Sequence, residues 1–210
     1  MNGYIFDLDG TLLDSMAAWD NLGADYLIAQ GITPPPNFHE TVKPMGFTQA
    51  AEYFITLGLD KKVPDIIKGI TDMIKDQYIH HIPAKAGAHR LLEHLKKRGD
   101  RLCVATATDK RLAMVALDRL EMTSCFDFVC TCEELSMNKQ QSAFFKKVAS
   151  MLGMDNAHTF VVEDSLHAMH SAKEAGLLVI GLYEPYVRED WPQIQQIADR
   201  AILHFDELID

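Results

Sequence analysis

Gly3-Tyr4-Ile5-Phe6-Asp7-Leu8-Asp9-Gly10-Thr11 is a short apolar run that ends in two acids and a glycine. Residues 3–8 read as a strand. Alternate residues of a strand point to opposite faces, but this one is ending and Gly10 releases the backbone, so Asp7 and Asp9 can converge on one site. From Ala84 onward, strand and helix signals alternate. Residues 101–105, 126–130, 159–162 and 178–181 read as further strands, with amphipathic helices over 88–98, 110–120, 141–152 and 166–175. Gly99, Gly153 and Gly176 fall just past three of these helices, where a left-handed residue is wanted. This alternation predicts an α/β fold, a doubly wound parallel sheet of Rossmann type with right-handed crossovers.

One stretch breaks the rhythm. About ninety residues separate the first strand from the second and carry no strand signal, whereas a crossover needs only about a dozen. Residues 15–30, 48–57 and 64–80 read as helices, punctuated by Pro34, Pro35 and Pro36, then Gly58 and Pro64, and closed by Pro83. The chain thus divides into a core domain, 1–14 and 83–210, and an inserted helical cap domain, 15–82. The insert leaves and re-enters at the carboxyl end of the first strand, the end where ligands bind in an open α/β sheet, which makes it a candidate lid.

Composition sets bounds on function. The 210 residues carry a formal net charge of -10, so the surface as a whole repels nucleic acid and anionic membranes. No apolar run approaches the roughly 20 residues that span a bilayer, and nothing resembles a signal peptide, so the cytoplasm is the default location. Cys103, Cys125, Cys130 and Cys132 form no disulfide framework and read as buried structural thiols, with Cys130 and Cys132 on one face of a strand.

The chemistry gathers at strand ends. The second strand ends Val104-Ala105-Thr106-Ala107-Thr108, which brings a hydroxyl and free amides to the edge. Lys139 stands alone before the helix at Gln141. The fourth strand ends Val162-Glu163-Asp164-Ser165, with Ser165 placed to cap the next helix. Two carboxylates about 4 Å apart repel by roughly 4 kcal/mol at an effective dielectric near 20, so Asp7, Asp9, Glu163 and Asp164 need a counter-charge to stay ionised together. A hard divalent ion with oxygen ligands meets that need, and Mg²⁺ suits one or two carboxylates plus a substrate phosphate. Thr106 and Lys139 then suit the phosphoryl oxygens, and a carboxylate can serve as nucleophile.

Asp-x-Asp-Gly-Thr at Asp7 to Thr11, Thr106, Lys139 and Glu163-Asp164 resemble, in order, the four motifs of the haloacid dehalogenase-like superfamily. The Glu-Asp-Ser form of the last motif and the helical insert are similar to its phosphatase and β-phosphoglucomutase subfamily. The resemblance implies Asp7 as nucleophile and Asp9 as general acid, then base. It implies Thr106, Ala107 and Lys139 as the phosphate site, and Asp7, the Asp9 carbonyl and Asp164 as Mg²⁺ ligands with Glu163 close by. Dehalogenases of the superfamily lack the second aspartate, so Asp9 argues against carbon–halogen cleavage. Two departures stand out: Lys139 precedes Gln140-Gln141-Ser142-Ala143 where the subfamily commonly has Pro-x-Pro-Asp, and Ala168 replaces a frequent glycine.

In relatives of this kind the loop equivalent to Lys43–Gln49, which holds Phe47, faces the active site and selects substrate. Trp19, at helical spacing with Tyr26 and Leu27, reads as lobe core and as a candidate to line the cleft. His167 and His170, three apart on a helix, read as an exposed or partly packed pair. The expected activity is phosphomonoester hydrolysis of a small phosphorylated metabolite by a monomer or weak homo-oligomer. The rivals are a sugar-phosphate mutase on the same fold and a phospho-acceptor signalling or binding protein. Mutases of the subfamily place a histidine at the hinge and an arginine and a lysine in the cap loop; by motif spacing Trp19, Gln49 and Met45 stand there.

Overall fold

The computed structural model describes residues 1–209. Strand β1 (Gly3–Phe6) is buried along its whole length and is followed by four helices: α1 (Met16–Ala29), α2 (Phe38–Val42), α3 (Phe47–Thr56) and α4 (Val63–Asp76). Then come α5 (Ala88–Lys97), β2 (Arg101–Thr106), α6 (Lys110–Arg119), β3 (Phe128–Thr131), α7 (Cys132–Leu135) and α8 (Ser142–Leu152). The chain finishes with β4 (Thr159–Glu163), α9 (Leu166–Glu174), β5 (Leu178–Leu182), α10 (Trp191–Ile197) and β6 (Arg200–Ile202). It divides into two compact units, Met1–Asp14 with Pro83–Asp210, and Ser15–Ile82.

In the first unit six strands form one sheet in the order β3-β2-β1-β4-β5-β6, and every pair is parallel. The doubly wound expectation holds, because the order reverses on either side of β1. Phe144, Phe145 and Val148 of α8 and Met169 and Ala172 of α9 pack against Ile5, Cys103, Val161 and Val179 to fill one face. Leu13 bridges antiparallel to Ala84, while the Asp14 amide donates to the Pro83 carbonyl at 3.0 Å and the Lys85 amide to Leu12 at 2.8 Å. The two chain crossings that bracket residues 15–82 are therefore laced together inside the first unit.

The second unit is helical throughout. Tyr26, Phe38, Tyr53 and Phe54 stack in pairs with centroids 5.6 to 6.3 Å apart. Gly69 makes room for this core: a β-carbon there would lie 2.5 Å from the Tyr26 ring. The third expected helix, over 64–80, is regular only to Asp76 and widens into a π turn over Gln77–His81.

Several expectations need correction. A sixth strand, β6, was not legible, since Arg200-Ala201-Ile202 is only three residues long and opens with an exposed arginine. Cys132 does not share a strand face with Cys130: β3 stops at Thr131, whose hydroxyl accepts the Glu134 amide and starts α7. Cys103 and Cys130 are buried, but Cys125 and Cys132 are only half-buried. The stretch after β5 is tied into the first unit. Glu184 is buried, accepts the Tyr186 amide at 3.1 Å, and pairs with Lys85.

Candidate active site

Register decides which side chains meet. Phe6 lies beside Val104 on β2 and Val162 on β4, and the Asp7 amide still donates to the Val162 carbonyl at 3.0 Å. Asp7 thus leaves β1 between the ends of β2 and β4, at the level of Glu163. Beyond it the chain turns tightly, with the Leu13 amide bonded to Leu8 at 2.8 Å and the Gly10 amide to Leu13 at 3.0 Å. Gly10 has a left-handed φ of 81°. A β-carbon there would sit 2.5 Å from Asp164 Oδ2. Only glycine satisfies both the backbone and the approaching carboxylate.

Asp7, Glu163 and Asp164 are all buried and each offers a carboxylate oxygen within 4.8 Å of the others. The Lys139 ammonium pairs with Asp7 and, at 2.7 Å, with Glu163 Oε1. Asp164 Oδ1 accepts the Thr11 hydroxyl at 3.0 Å. Three carboxylates against one ammonium leave two negative charges in a desolvated site. Burial, then the Glu163 carboxylate, push the Asp7 carboxyl up to about 7 against the pull of Lys139. Burial, Glu163 and Asp7 likewise raise the Asp164 carboxyl well above the ordinary range. Burial alone would lower the Lys139 ammonium, but the facing Asp7 and Glu163 outweigh it and hold it above the usual lysine range. The deficit equals the charge of one divalent cation, and an all-oxygen donor set fits a hard ion such as Mg²⁺.

Other residues complete the edge. Thr106 is buried at the end of β2, and its Oγ1 accepts the Thr108 amide at 3.0 Å. A hydroxyl accepting in this way keeps its own proton to donate. Ala107 between them is exposed in a bend. Asp9 is half-buried and lies outside the trio of side-chain carboxylates; its Oδ2 accepts the Thr108 hydroxyl at 2.5 Å. Lys139 sits before α8 in a turn that needs no proline. Asn138 Oδ1 accepts the Gln140 amide at 3.0 Å, and the Asn138 amide donates to Gln141 Oε1 at 3.2 Å. These bonds occupy the segment where the subfamily carries Pro-x-Pro-Asp.

Ser165 occupies the N-cap of α9 but its side chain makes no capping bond. Glu163 instead holds the approach to the helix: its Oε2 accepts both the Asp164 and Ser165 amides at 2.9 Å. Thr11 and Thr108 stand inside the motifs, yet sequence reasoning assigns them no role, because an uncharged hydroxyl carries no signal beyond its position. Trp19 and Phe47 belong to the helical unit. Trp19 is partly exposed and donates its indole N–H to the Tyr78 hydroxyl at 3.0 Å, and Phe47, also exposed, opens α3. His167 and His170 are exposed on α9.

A doubly wound parallel sheet with a buried acid cluster and one lysine at its carboxyl edge defines an α/β enzyme equipped for phosphoryl groups. Residues 4–182 match the haloacid dehalogenase-like hydrolase family, and the chain belongs to it. It is 27% identical over 209 residues to hexitol phosphatase A of Escherichia coli (strain K12), covering 99% of this chain and 92% of that protein. It is 22% identical over 178 residues to a phosphorylated carbohydrates phosphatase of Thermotoga maritima, covering 84% of this chain and 82% of that one. The crystal structure of a putative beta-phosphoglucomutase from Thermotoga maritima shares the fold, with a TM-score of 0.88 at 20% identity over 100% of this chain and 97% of the other. With phosphatases as its sequence relatives, the chain is an enzyme of the phosphoric monoester hydrolase type. Among the described residues no helix is long and apolar enough to cross a membrane.

Proposed function

We propose that this enzyme hydrolyses a small phosphorylated metabolite of the sugar or polyol phosphate class through an aspartyl-phosphate on Asp7, with Mg²⁺ as cofactor. The observation that carries the reading is the charge imbalance at the carboxyl edge, three buried carboxylates facing one ammonium. Asp7, the Asp9 carbonyl and Asp164 would hold the ion, with Glu163 beside it tying Lys139 and the α9 entry in place. Bound there, Mg²⁺ would supply positive charge to the phosphoryl oxygens.

The chain's own groups carry the steps. A carboxylate oxygen of Asp7 attacks phosphorus while Asp9 donates a proton to the departing alcohol oxygen. Asp9 then takes a proton from water, which attacks the same phosphorus and frees Asp7. The Thr106 hydroxyl, the amide of Ala107 and the Lys139 ammonium suit the non-bridging oxygens as charge moves onto them. The helical unit over 15–82 serves as cap, with Trp19 and Phe47 as candidate substrate contacts. Water is the proposed acceptor rather than a second sugar hydroxyl, because Trp19, Met45 and Gln49 put no cation at the hinge and cap-loop positions where mutases of the subfamily carry a histidine, a lysine and a phosphate-gripping arginine. Gln49 Oε1 lies 3.4 Å from the Gly46 amide at the start of α3.

The test is phosphate release from a panel of hexitol phosphates, sugar monophosphates and phosphoglycolate, each with Mg²⁺ and with excess chelator. Mg²⁺-dependent release from a subset of the carbohydrate esters is the expected result. Full turnover in chelator would refute the metal assignment. Conversion of glucose 1-phosphate to glucose 6-phosphate without free phosphate, given a trace of the bisphosphate, would overturn the choice of water.

A further inference from the structure

Thr108 stands where its two polar groups face two different parts of the site. Its amide donates to Thr106 Oγ1 at 3.0 Å, and its hydroxyl donates to Asp9 Oδ2 at 2.5 Å. The first bond closes a short side-chain-to-backbone turn at the end of β2, which fixes the Thr108 backbone relative to a buried threonine. The second reaches across to the loop after β1, ninety-nine residues earlier in the chain. Asp9 sits in a loop, half-buried, beside the left-handed Gly10. A carboxylate on a loop has rotamers to choose from, and general-acid chemistry needs one oxygen aimed at the leaving atom within hydrogen-bond reach.

We propose that Thr108 is a positioning residue for Asp9: by donating to Oδ2 it fixes the plane of the carboxyl that exchanges a proton with the leaving group and then with water. The inference rests on the reading of Asp9 as acid and base. The proton balance is simple. Asp7 forms its bond to phosphorus, the phosphorus–alcohol bond breaks, the Asp9 carboxyl proton goes to the alcohol oxygen, and the Thr108 proton stays on Thr108 throughout. Threonine suits the task because its β-branch restricts χ1, so fixing the backbone through Thr106 also aims the hydroxyl. Thr106 therefore has two roles through one oxygen: it accepts from the Thr108 amide and keeps its own proton for the substrate.

A positioning role makes a prediction that simple loss of packing does not. The shape-matched Thr108→Val should slow first-turnover release of the alcohol from an alkyl phosphate, glycerol 1-phosphate, by about ten- to a hundredfold. In the same first turnover, before water frees Asp7, release of nitrophenolate from 4-nitrophenyl phosphate, whose leaving group needs no proton, should slow by less than about threefold. KM for both should change less than about twofold, and Thr108→Ser should restore most of the alkyl-phosphate rate. In an Asp9→Asn background Thr108→Val should add less than about twofold, since there is no longer a carboxyl to orient. Equal losses on the two esters, or an undiminished loss in the Asp9→Asn background, would overturn the proposal. If Asp9→Asn alone discriminates between the esters while Thr108→Val does not, the positioning role fails and the acid–base reading stands. If Asp9→Asn does not discriminate, the reading beneath it fails and the proposal with it.

Discussion

The two edges of the sheet use aspartates in opposite ways. At the amino edge each acid has its own cation and a backbone amide to hold. Asp199 accepts Lys173 at 2.7 and 2.8 Å and the Val179 amide at 2.7 Å. Asp127 accepts Arg101 Nε at 2.9 Å and the Leu102 amide at 3.0 Å. Asp100 accepts the Asn2 amide at 2.7 Å and lies 3.0 Å from Arg98. At the carboxyl edge Asp7, Glu163 and Asp164 share, among the described residues, the single cation of Lys139. The carboxyls respond accordingly: Asp199 is held below the ordinary range, whereas Asp7 and Asp164 are raised. Balanced acids pin strand starts and serve stability. Unbalanced ones store a demand for charge that a cation and a reacting phosphoryl group can meet.

The sharpest way to break this contrast is Asp7→Asn. Activity should fall on the order of ten-thousandfold or more, as when a nucleophile is removed, while the melting temperature in chelator should not fall. The sign follows from linkage. A carboxyl raised to about 7 on folding opposes folding increasingly as pH climbs from its unfolded value near 4 toward 7, so removing it at neutral pH relieves the folded state. A large drop in metal-free stability would show Asp7 to be a structural acid after all.

Gly10→Ala comes next. Its β-carbon would meet Asp164 Oδ2 at 2.5 Å and the residue would be forced into left-handed backbone. Activity should drop about a hundredfold and stability by about 1 to 3 kcal/mol, read by steady-state rates and by urea unfolding. Retention of full activity would mean that the Gly10–Asp164 approach does not shape the site.

Asp199→Asn should reverse the pattern at a smaller scale. Burial tends to raise this carboxyl, but its bonds to Lys173 and Val179 outweigh that and lower it. Its contribution is therefore present above the unfolded pKa and lost as pH falls through the folded one. The variant should be less stable at pH 7 by on the order of 1 kcal/mol, with kcat within twofold of the parent. The gap should close as pH falls below about 4; a gap that persists in acid would argue against an ionised, cation-paired Asp199.

The carboxyl edge was legible because two of its acids end apolar runs, Asp7 after Ile5-Phe6 and Glu163 after Val161-Val162. An acid at such a place stands out against its neighbours, and Asp7, Glu163 and Asp164, at the ends of two adjacent parallel strands, share one small volume while Asp9 turns to Thr108. The amino edge was silent. Asp100 and Asp199 look like ordinary loop acids, Asp127 falls within the stretch 126–130 that reads as strand although β3 begins only at Phe128, and β6 behind Asp199 is too short to announce itself. Local hydrogen bonds were equally hidden. Ser165 has the right identity for a cap yet makes no capping bond, and the Glu163 side chain folds back over the Asp164 and Ser165 amides just before the helix. Thr11 and Thr108 act through neutral hydroxyls whose partners lie 153 and 99 residues away, a relation that spacing along the chain does not encode.

The central claim is that the excess negative charge at the carboxyl edge frames a nucleophilic Asp7. Mixing the enzyme with Mg²⁺ and 4-nitrophenyl phosphate, quenching in acid within milliseconds, and mapping the added phosphoryl group by peptide mass spectrometry tests it most directly. The predicted result is one phosphoryl group on Asp7, acid-stable enough to survive the quench, absent when chelator replaces Mg²⁺ and absent in Asp7→Asn. A phosphoryl group on any other residue, or undiminished turnover by Asp7→Asn, would contradict it.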